Sequence, residues 1–349
     1  MISTPWFALP PEGYGGIEAM CAELVDGLVE LGHRVTVIGV GRNGTKGRFI
    51  ATDDNPAGSR RLGNSRPEVL HTARTARVLR SLDSDVIHDH SMAGPLQAGQ
   101  RQAPTVVTAH GPVTGEIGLY YRALGDTVHM VALSRAQQAE APDIHWSGQV
   151  HNALRSAHYP YRDRKGGNAL FLGRIAADKG VHLAIDAARE AELPLTVAGN
   201  CNDPSEQPYI EAEIRPRMGD DVHLVGEVDW HTKLDLLASA RCLLFPIQWE
   251  EPFGMVMIEA MACGTPVVAL RRGSVPEIVE EGVTGYICDH PAELAKAIGS
   301  VDRLDPVACR GRVRRHFDTD QMAAAYAALY QQLSRHHPHN EPAARMAPA

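Results

Sequence analysis

Residues 246–266 read PIQWEEPFGMVMIEAMACGTP, and they follow the short apolar run Cys242–Phe245. The apolar run predicts a buried strand, and the pattern after Gly254 predicts a helix that ends at Cys263. A buried strand that passes through a polar loop into a helix is the repeating half of a βαβ unit. This stretch therefore favours an α/β fold built on a parallel sheet.

The same alternation continues in both directions along the chain. Its 349 residues exceed what one core usually holds, so two domains are expected. A polar segment, Val150–Gly167, predicts the linker, and the domains are predicted at residues 1–155 and 160–318. The other predicted strands are Val35–Ile38, Asp85–His90, Thr105–Ala109, Val128–Leu133, Ala169–Leu172, Leu195–Ala198, Val222–Val225 and Pro266–Ala269.

The two ends of the chain depart from this regular pattern. Only one apolar residue, Ile2, separates Met1 from the first proline, which predicts a first strand that lacks most of its length. A helix is predicted over residues 319–334 and is expected to pack back on the N-terminal domain. The tail, residues 335–349, is rich in His, Pro and Ala and is predicted to be disordered.

Charge, cysteine pattern and hydropathy argue against several classes of protein. The net charge of −8 gives the whole chain no electrostatic reason to bind nucleic acid. Six cysteines occur without a CxxC pair, as expected of reduced thiols in a cytoplasmic protein. No apolar run approaches the ~20 residues of a membrane span, and no signal peptide is expected.

Residues 42–80 form a basic segment, with nine Lys and Arg against three acids. Arg74, Arg77 and Arg80 share one face of a predicted helix. The segment is either an ordinary solvated face or a surface for peripheral contact with an anionic membrane at its inner face. The solvated face is favoured, because the apolar side of the helix must also cover a sheet.

The loop and helix around Gly254 have the chemistry of a diphosphate site. The first N–H groups of a helix lack intrahelical partners and lie at its positive end, which favours phosphate. Glu251 and Glu259 flank this start, where carboxylates can accept hydrogen bonds from the hydroxyls of a sugar and a ribose. Taken alone, they would be a capping acid and a solvated helix residue. The amides concerned belong to Phe253, Gly254, Met255 and Val256.

Other candidates follow predicted strands or precede helices. Arg174 and Lys179 share one loop and could neutralise a diphosphate, although paired loop cations are usually exposed and idle. Gly15 and Gly16 allow backbone to approach a ligand, or form an ordinary tight turn. His110 ends a strand, where a lone histidine is more often a satisfied polar residue than a catalyst. His88 and His90 end another strand and could line an acceptor site or simply finish the strand.

The stretch from Glu251 to Glu259 resembles the EX7E region of family 4 glycosyltransferases, including the surrounding EPFG and EAMACGTPV. The resemblance runs from Gly13 to about Gly285. It implies an α/β protein with the GT-B fold, two Rossmann-like domains facing each other across a cleft. It also implies retaining transfer of a hexosyl group from a nucleotide diphosphate sugar, UDP-sugars before GDP-mannose, with no metal or cofactor.

The resemblance also assigns roles to residues. The C-terminal domain would bind the nucleotide sugar, with Glu251 on the donor sugar and Glu259 on the ribose. The N-terminal domain would bind the acceptor, a small molecule, a saccharide or a lipid. Arg174 and Lys179 would form a phosphate clamp, and His110 would contact the donor sugar. Gly15 and Gly16 would belong to a loop that faces the phosphates and the acceptor. Val228 and Lys233 would border the nucleobase.

Three rival functions stay open at this point. One is a GT-B nucleotide-sugar epimerase, and another is a catalytically inactive or regulatory protein that binds a nucleotide sugar. The third is a nicotinamide oxidoreductase, for which Gly39–Gly44 matches GxGxxG after a strand. The sequence after Gly44 does not open a helix, so this fingerprint fails.

Overall fold

The computed structural model describes residues 1–13, 15–201 and 204–335. The predicted disordered tail lies outside the described residues, apart from Arg335. The strands are β1 Thr36–Val40, β2 Arg48–Asp53, β3 Ile87–Asp89, β4 Thr105–Thr108, β5 His129–Ala132, β6 Trp146–Gln149, β7 Ala169–Leu172, β8 Leu195–Ala198, β9 Val222–Gly226, β10 Cys242–Phe245, β11 Val267–Leu270 and β12 Gly285–Cys288. The helices are α1 Gly16–Glu30, α2 Ser65–Leu79, α3 Gly115–Leu124, α4 Arg135–Glu140, α5 Val181–Glu190, α6 Gln207–Tyr209, α7 Trp230–Ser239, α8 Met255–Ala262, α9 Val275–Ile278, α10 Leu294–Ile298, α11 Pro306–His316 and α12 Thr319–Arg335.

The C-terminal half is built on a six-stranded parallel sheet in the order β12-β11-β10-β7-β8-β9. Strands β7, β8, β10 and β11 are buried along nearly their whole length, because helices cover both faces of the sheet. The loops that follow β7 and β10 lie at the carboxyl edge of this sheet. In open parallel sheets this edge is where ligands bind.

The N-terminal half contains a parallel sheet in which β3, β4, β5 and β6 are neighbours, and β1 pairs with β2. The start of the chain joins these two groups of strands. The Ile2 amide donates to His88 O at 2.8 Å, and the Ser3 amide donates to Ile38 O at 2.9 Å. Ile2 forms isolated bridges to Ile38 in one group and to Asp89 in the other.

Two strands of the N-terminal sheet were not predicted from the sequence. Strand β2 lies within the basic segment, and all of its residues are exposed or only partly buried. Edge strands need no continuous apolar run, because one side of the strand faces solvent. Strand β6 is likewise only partly buried. The α/β fold itself is confirmed.

Helix α12 returns to the N-terminal half after the last helices of the C-terminal half. Its residues Met322, Tyr326 and Leu329 share a core cluster with residues of α1. The Tyr326 hydroxyl lies 2.7 Å from the hydroxyl of Thr108, which ends β4. Helix α12 therefore supports the sheet edge from which the next residues, including His110, emerge.

Within the described residues, no helix combines the length and apolar character that crossing a membrane requires.

The contact between α1 and α12 allows a stability prediction. A Cβ atom at Gly27 would lie 2.7 Å from Ala323 Cβ, so Gly27→Ala must push the two helices apart. We expect a loss of about 1–3 kcal/mol, measured as a lower thermal midpoint. Gly299→Ala is the matched control, because a Cβ there meets nothing closer than 3.6 Å. Equal midpoints for the two variants would show that α12 does not pack tightly on α1.

Candidate active site

Two loops at the carboxyl edge of the C-terminal sheet are packed against each other. One follows β7 and contains Gly180, whose φ is +71° and whose missing Cβ would lie 2.0 Å from Pro246 O. Only glycine fits this left-handed, crowded position. The Gln248 amide also donates to Asp178 O at 2.8 Å. This close approach brings the side chains of the two loops together.

These two loops bring the side chains of Lys179 and Glu251 together. Lys179 Nζ lies 2.6 Å from Glu251 Oε2 and 5.1 Å from the centre of the Trp249 ring. Both charged side chains are more than three-quarters buried. A cation held by a carboxylate and an aromatic face in a partly dry site is strongly oriented.

Arg174 lies on the same loop as Lys179 and has acidic partners of its own. Its Nη1 is 2.5 Å from Glu206 Oε1, and its Nη2 is 3.1 Å from Asp178 Oδ2. Sequence reasoning missed both acids. Asp178 lies only four residues after Arg174, whereas Glu206 is 32 residues away and nothing near Arg174 in the sequence indicates it. The predicted clamp cations therefore lie at one sheet edge, each already oriented by carboxylates.

Helix α8 begins at the predicted glycine. Gly254 is the N-cap residue, with φ of +76°, and a Cβ there would lie 2.7 Å from Met257 Cε. The Phe253 side chain is buried in the core, so only its main chain is available to a ligand. Met255 and Val256 are partly buried against the same core. The first amides of α8 therefore lie at a fixed position, at the end of a helix that favours anions.

Glu259 is buried one turn into α8. Its Oε1 accepts from Lys233 Nζ at 2.6 Å and from the Tyr159 hydroxyl at 3.3 Å. Burial beside Glu259 raises the pKa of Tyr159 well above its ordinary value, so the phenol stays protonated and donates. Lys233 Nζ also lies 5.5 Å from the centre of the Trp230 ring.

Lys233, which the family resemblance assigns to the nucleobase border, thus contacts Glu259, the carboxylate predicted to bind the ribose. Val228, the other predicted border residue, packs against the core that α8 shares. Tyr159 comes from the linker region, and nothing in the local sequence indicates that its side chain reaches the candidate site. Its contact with Glu259 ties the linker to the candidate nucleotide site.

His110 follows β4 at the edge of the N-terminal sheet. Its Nε2 lies 2.9 Å from Nδ1 of His90, which follows β3. The buried Gln137 side chain donates to Ala109 O at 2.8 Å and to Gly111 O at 2.9 Å, so it fixes the main chain on both sides of His110. Burial lowers the pKa of His110 to about 4, so the ring is neutral at physiological pH.

The glycine loop leads directly into α1. Gly15 is buried and is the N-cap residue, with φ of +145°, and Gly16 is exposed as the first residue of the helix. Beneath them lies Glu18, whose carboxylate accepts a hydrogen bond from the Thr4 hydroxyl. Burial raises the pKa of Glu18. Sequence reasoning had not singled out this buried acid under the loop.

Glu277 connects elements of both halves and was also missed. Its carboxylate accepts from the amides of Arg135 at 3.1 Å and Ala136 at 2.9 Å, at the start of α4. It also lies 3.1 Å from Nε2 of the linker residue His151. Burial alone would raise the pKa of Glu277, but the hydrogen bonds from His151 and the amides outweigh burial and lower it.

The segment that carries Glu277 also holds the loop before α8. The Ser274 amide donates to Glu251 O at 3.0 Å, and the Ser274 hydroxyl donates to Phe253 O at 2.7 Å. On the other side, α4 carries Gln137, which holds the main chain around His110. Glu277 therefore stands between the two candidate halves of the site.

Comparison with known proteins identifies the family. The model described as Glycosyltransferase Family 4 matches residues 14–146, and that of glycosyl transferases group 1 matches residues 162–305. The chain is 30% identical to glycogen synthase of Mycobacterium tuberculosis over 292 residues, which cover 72% of this chain and 69% of that protein. The chain belongs to glycosyltransferase family 4. It is therefore a glycosyltransferase.

Two further proteins that match this family 4 glycosyltransferase are also glycosyltransferases. It is 32% identical over 170 residues to D-inositol 3-phosphate glycosyltransferase of Mycobacterium bovis, covering 46% of this chain and 33% of that protein. A solved glycosyltransferase involved in avilamycin A biosynthesis matches with a TM-score of 0.71 at 26% identity, over 96% of this chain and 97% of that one.

A second solved structure matches at lower identity. HepE of Anabaena, solved with UDP and glucose, has a TM-score of 0.73 at 20% identity, over 95% of this chain and all of that one. At this identity the likeness bears on the fold alone. The expected GT-B fold is confirmed.

The position of Glu277 in this glycosyltransferase allows a prediction. Glu277→Ala removes three hydrogen bonds to one carboxylate, so we expect the thermal midpoint to fall by the equivalent of about 1.5–3 kcal/mol. Glu277→Gln keeps one acceptor oxygen and should lose less. The control is Glu280→Ala, which removes a half-exposed ion pair with Arg312 and should cost about 0–1 kcal/mol. A midpoint for Glu277→Ala that equals the control would contradict a bridging role.

Proposed function

We propose that this glycosyltransferase moves a hexosyl group from a nucleotide diphosphate sugar to an acceptor, with retention of the anomeric configuration and without a metal. The observation that carries the proposal is the Lys179–Glu251 pair beside the start of α8. It combines a phosphate-binding cation, a sugar-binding carboxylate and a helix start at one sheet edge. The diphosphate would lie against the amides of Gly254 to Val256.

Charge development explains why these groups would accelerate transfer. As the bond between the anomeric carbon and the phosphate oxygen breaks, negative charge grows on the diphosphate. Arg174, Lys179 and the positive end of α8 would stabilise that charge, and such preorganised electrostatic stabilisation is usually the largest catalytic contribution. The acids that hold the two cations at rest keep them oriented until phosphate oxygens replace part of these contacts.

The two glutamates would bind hydroxyls. Glu251 uses Oε2 for Lys179, and its other oxygen can accept from hydroxyls of the donor sugar. Glu259 uses Oε1 for Lys233 and Tyr159, and its other oxygen can accept from the ribose. The proton of the acceptor hydroxyl would pass to the departing phosphate oxygen on the same face. The new glycosidic bond then forms on the side from which the nucleotide leaves.

We propose a UDP-sugar as the donor, ahead of GDP-mannose. Support comes from HepE of Anabaena, which has the same fold and was solved with UDP and glucose. The acceptor would be a saccharide, a small molecule or a lipid. The similarity to a glycogen synthase supports a saccharide, and the similarity to an inositol phosphate glycosyltransferase supports a small molecule.

The test of this function is a transfer assay with UDP-glucose, UDP-galactose and GDP-mannose over a panel of saccharide and inositol acceptors. Proton NMR of the product reads the anomeric configuration, which we expect to equal that of the donor. We also expect EDTA to leave the rate unchanged. An inverted product, or activity that EDTA abolishes and a divalent metal restores, would overturn the corresponding part of the proposal.

Lys179→Met gives the sharpest prediction from the site. It removes a charge that would stabilise the leaving diphosphate and leaves Glu251 without its cation. We expect kcat for transfer, or for donor hydrolysis, to fall by about 10²–10³-fold. Lys296→Met, at an exposed position far from this loop in the sequence, is the matched control and should keep the wild-type kcat. An unchanged kcat in Lys179→Met would rule out the clamp.

Peripheral membrane contact belongs to the same proposal. Helix α2 buries the polar residues His71 and Thr75, while Val78 and Leu79 near its end pack against the sheet, as expected. Val69 and Leu70 are instead 62% and 49% exposed. Exposed apolar side chains among cations suit the surface of an anionic membrane. We propose a cytoplasmic enzyme that touches the inner membrane face through residues 42–80.

Liposome sedimentation tests this contact. We expect binding to vesicles with anionic lipid that weakens with salt, and no binding to neutral vesicles. Arg66→Glu with Arg77→Glu should abolish it, while Arg303→Glu, an exposed cation of the C-terminal half, should not. Binding that is absent, or equally lost in the control, would restore the interpretation of a solvated face.

A further inference from the structure

Two histidine rings meet at the edge of the N-terminal sheet. Nδ1 of His90 and Nε2 of His110 are 2.9 Å apart, which is hydrogen-bond distance for two ring nitrogens. A neutral imidazole has one N–H and one bare nitrogen. If both rings are neutral, the pair must share a single proton, and the owner of that proton fixes the tautomer of both rings.

The surroundings keep both rings neutral. Burial lowers the pKa of His90 well below its ordinary value, and that of His110 to about 4. The other titratable groups near them are His88, whose ring centre is 3.9 Å from that of His90, and the amino group of Met1. Both of these would oppose a positive charge on the pair. The neighbouring Asp89 is paired with Arg101 at 2.7 Å.

The second nitrogen of His90 decides between the two tautomers. His90 is 5% exposed, and its Nε2 has no hydrogen-bond partner among the side chains and main-chain groups of residues 1–13, 15–201 and 204–335. If His110 donated the shared proton, His90 would carry its own proton on Nε2, as a buried N–H without an acceptor. Buried orphan N–H groups are rarer than buried acceptors without a donor. The shared proton therefore belongs on Nδ1 of His90.

We propose that His90 is a positioning residue that holds His110 in the Nδ1–H tautomer, so that His110 is a hydrogen-bond donor. The catalytic part of this inference rests on the proposed function, in which His110 contacts the donor sugar. A donor at this position suits an oxygen of the sugar and does not act as a general base. The acceptor proton then has the departing phosphate oxygen as its destination, as proposed for retaining transfer.

Both histidines are held by groups that do not depend on a ligand. Asp89 Oδ1 accepts from the amide of Ser91 at 3.0 Å and from its hydroxyl at 2.7 Å, which fixes the loop after β3. Gln137 fixes the main chain on either side of His110. The ring pair is therefore set by the fold before any substrate binds.

The direct test reads the tautomer itself. Long-range proton–nitrogen NMR spectra of the full chain, labelled with ¹⁵N in histidine, distinguish Nδ1–H from Nε2–H, and the spectrum of His110→Gln assigns the signal. We expect an Nδ1–H ring at His110 that persists across the pH range in which the protein is folded and active. Free histidine favours Nε2–H, so this result would be diagnostic. An Nε2–H or doubly protonated His110 would overturn the proposal.

Variants at position 90 test whether catalysis depends on the tautomer of His110. His90→Phe removes the donor, so His110 should revert to Nε2–H and kcat should fall by about 10²-fold with little change in the donor KM. His90→Gln can donate through its side-chain amide, so it should restore part of the Nδ1–H tautomer of His110 and part of kcat. An unchanged kcat in a folded His90→Phe would contradict the catalytic role. If the wild type transfers no sugar, the proposed function fails, while the spectrum still decides the tautomer.

Discussion

The ion pair between Lys179 and Glu251 depends on the close approach of two loops, and the rest of the site is arranged around it. Gly180 allows the loop after β7 to press against Pro246, and this contact brings a cation and a carboxylate to the first turn of α8. Charges held this way in a partly dry site need little reorganisation when a substrate develops charge. The pair therefore puts the candidate site at the carboxyl edge of the C-terminal sheet.

The second constraint is the connection between the two halves of the molecule. Glu277 binds the start of α4 and the linker residue His151, while Ser274 holds the loop of Glu251 and Phe253. Helix α4 in turn carries Gln137, which fixes the main chain around His110. The loop that carries Glu251 and the N-terminal residue His110 are thus supported by one short segment, which makes their relative position a property of the fold.

The sequence predicted the elements whose residues carry a local signal. Strands β7, β8 and β10 have the predicted bounds, because strands buried on both faces appear as short apolar runs. The start of α8 was predicted from Gly254. Partly exposed strands such as β2 were not predicted, because a strand at a sheet edge tolerates polar residues.

Partners far apart in the sequence were not predictable. Arg174 pairs with Glu206, Lys233 with Glu259, and Glu277 with amides about 140 residues away. Such pairs follow from the tertiary structure, and nothing in the local pattern of either residue indicates the other. The same holds for His90 and His110, whose side chains meet only because β3 and β4 are neighbours.

Calorimetric titration with UDP, GDP, ADP and NAD would show whether a nucleotide diphosphate site lies at the start of α8. We expect one nucleoside diphosphate, UDP before the others, to bind the folded protein at a single site, and Glu259→Ala to weaken this binding by about tenfold or more. Binding of NAD alone, absence of any nucleotide binding, or binding that Glu259→Ala leaves unchanged would contradict this expectation.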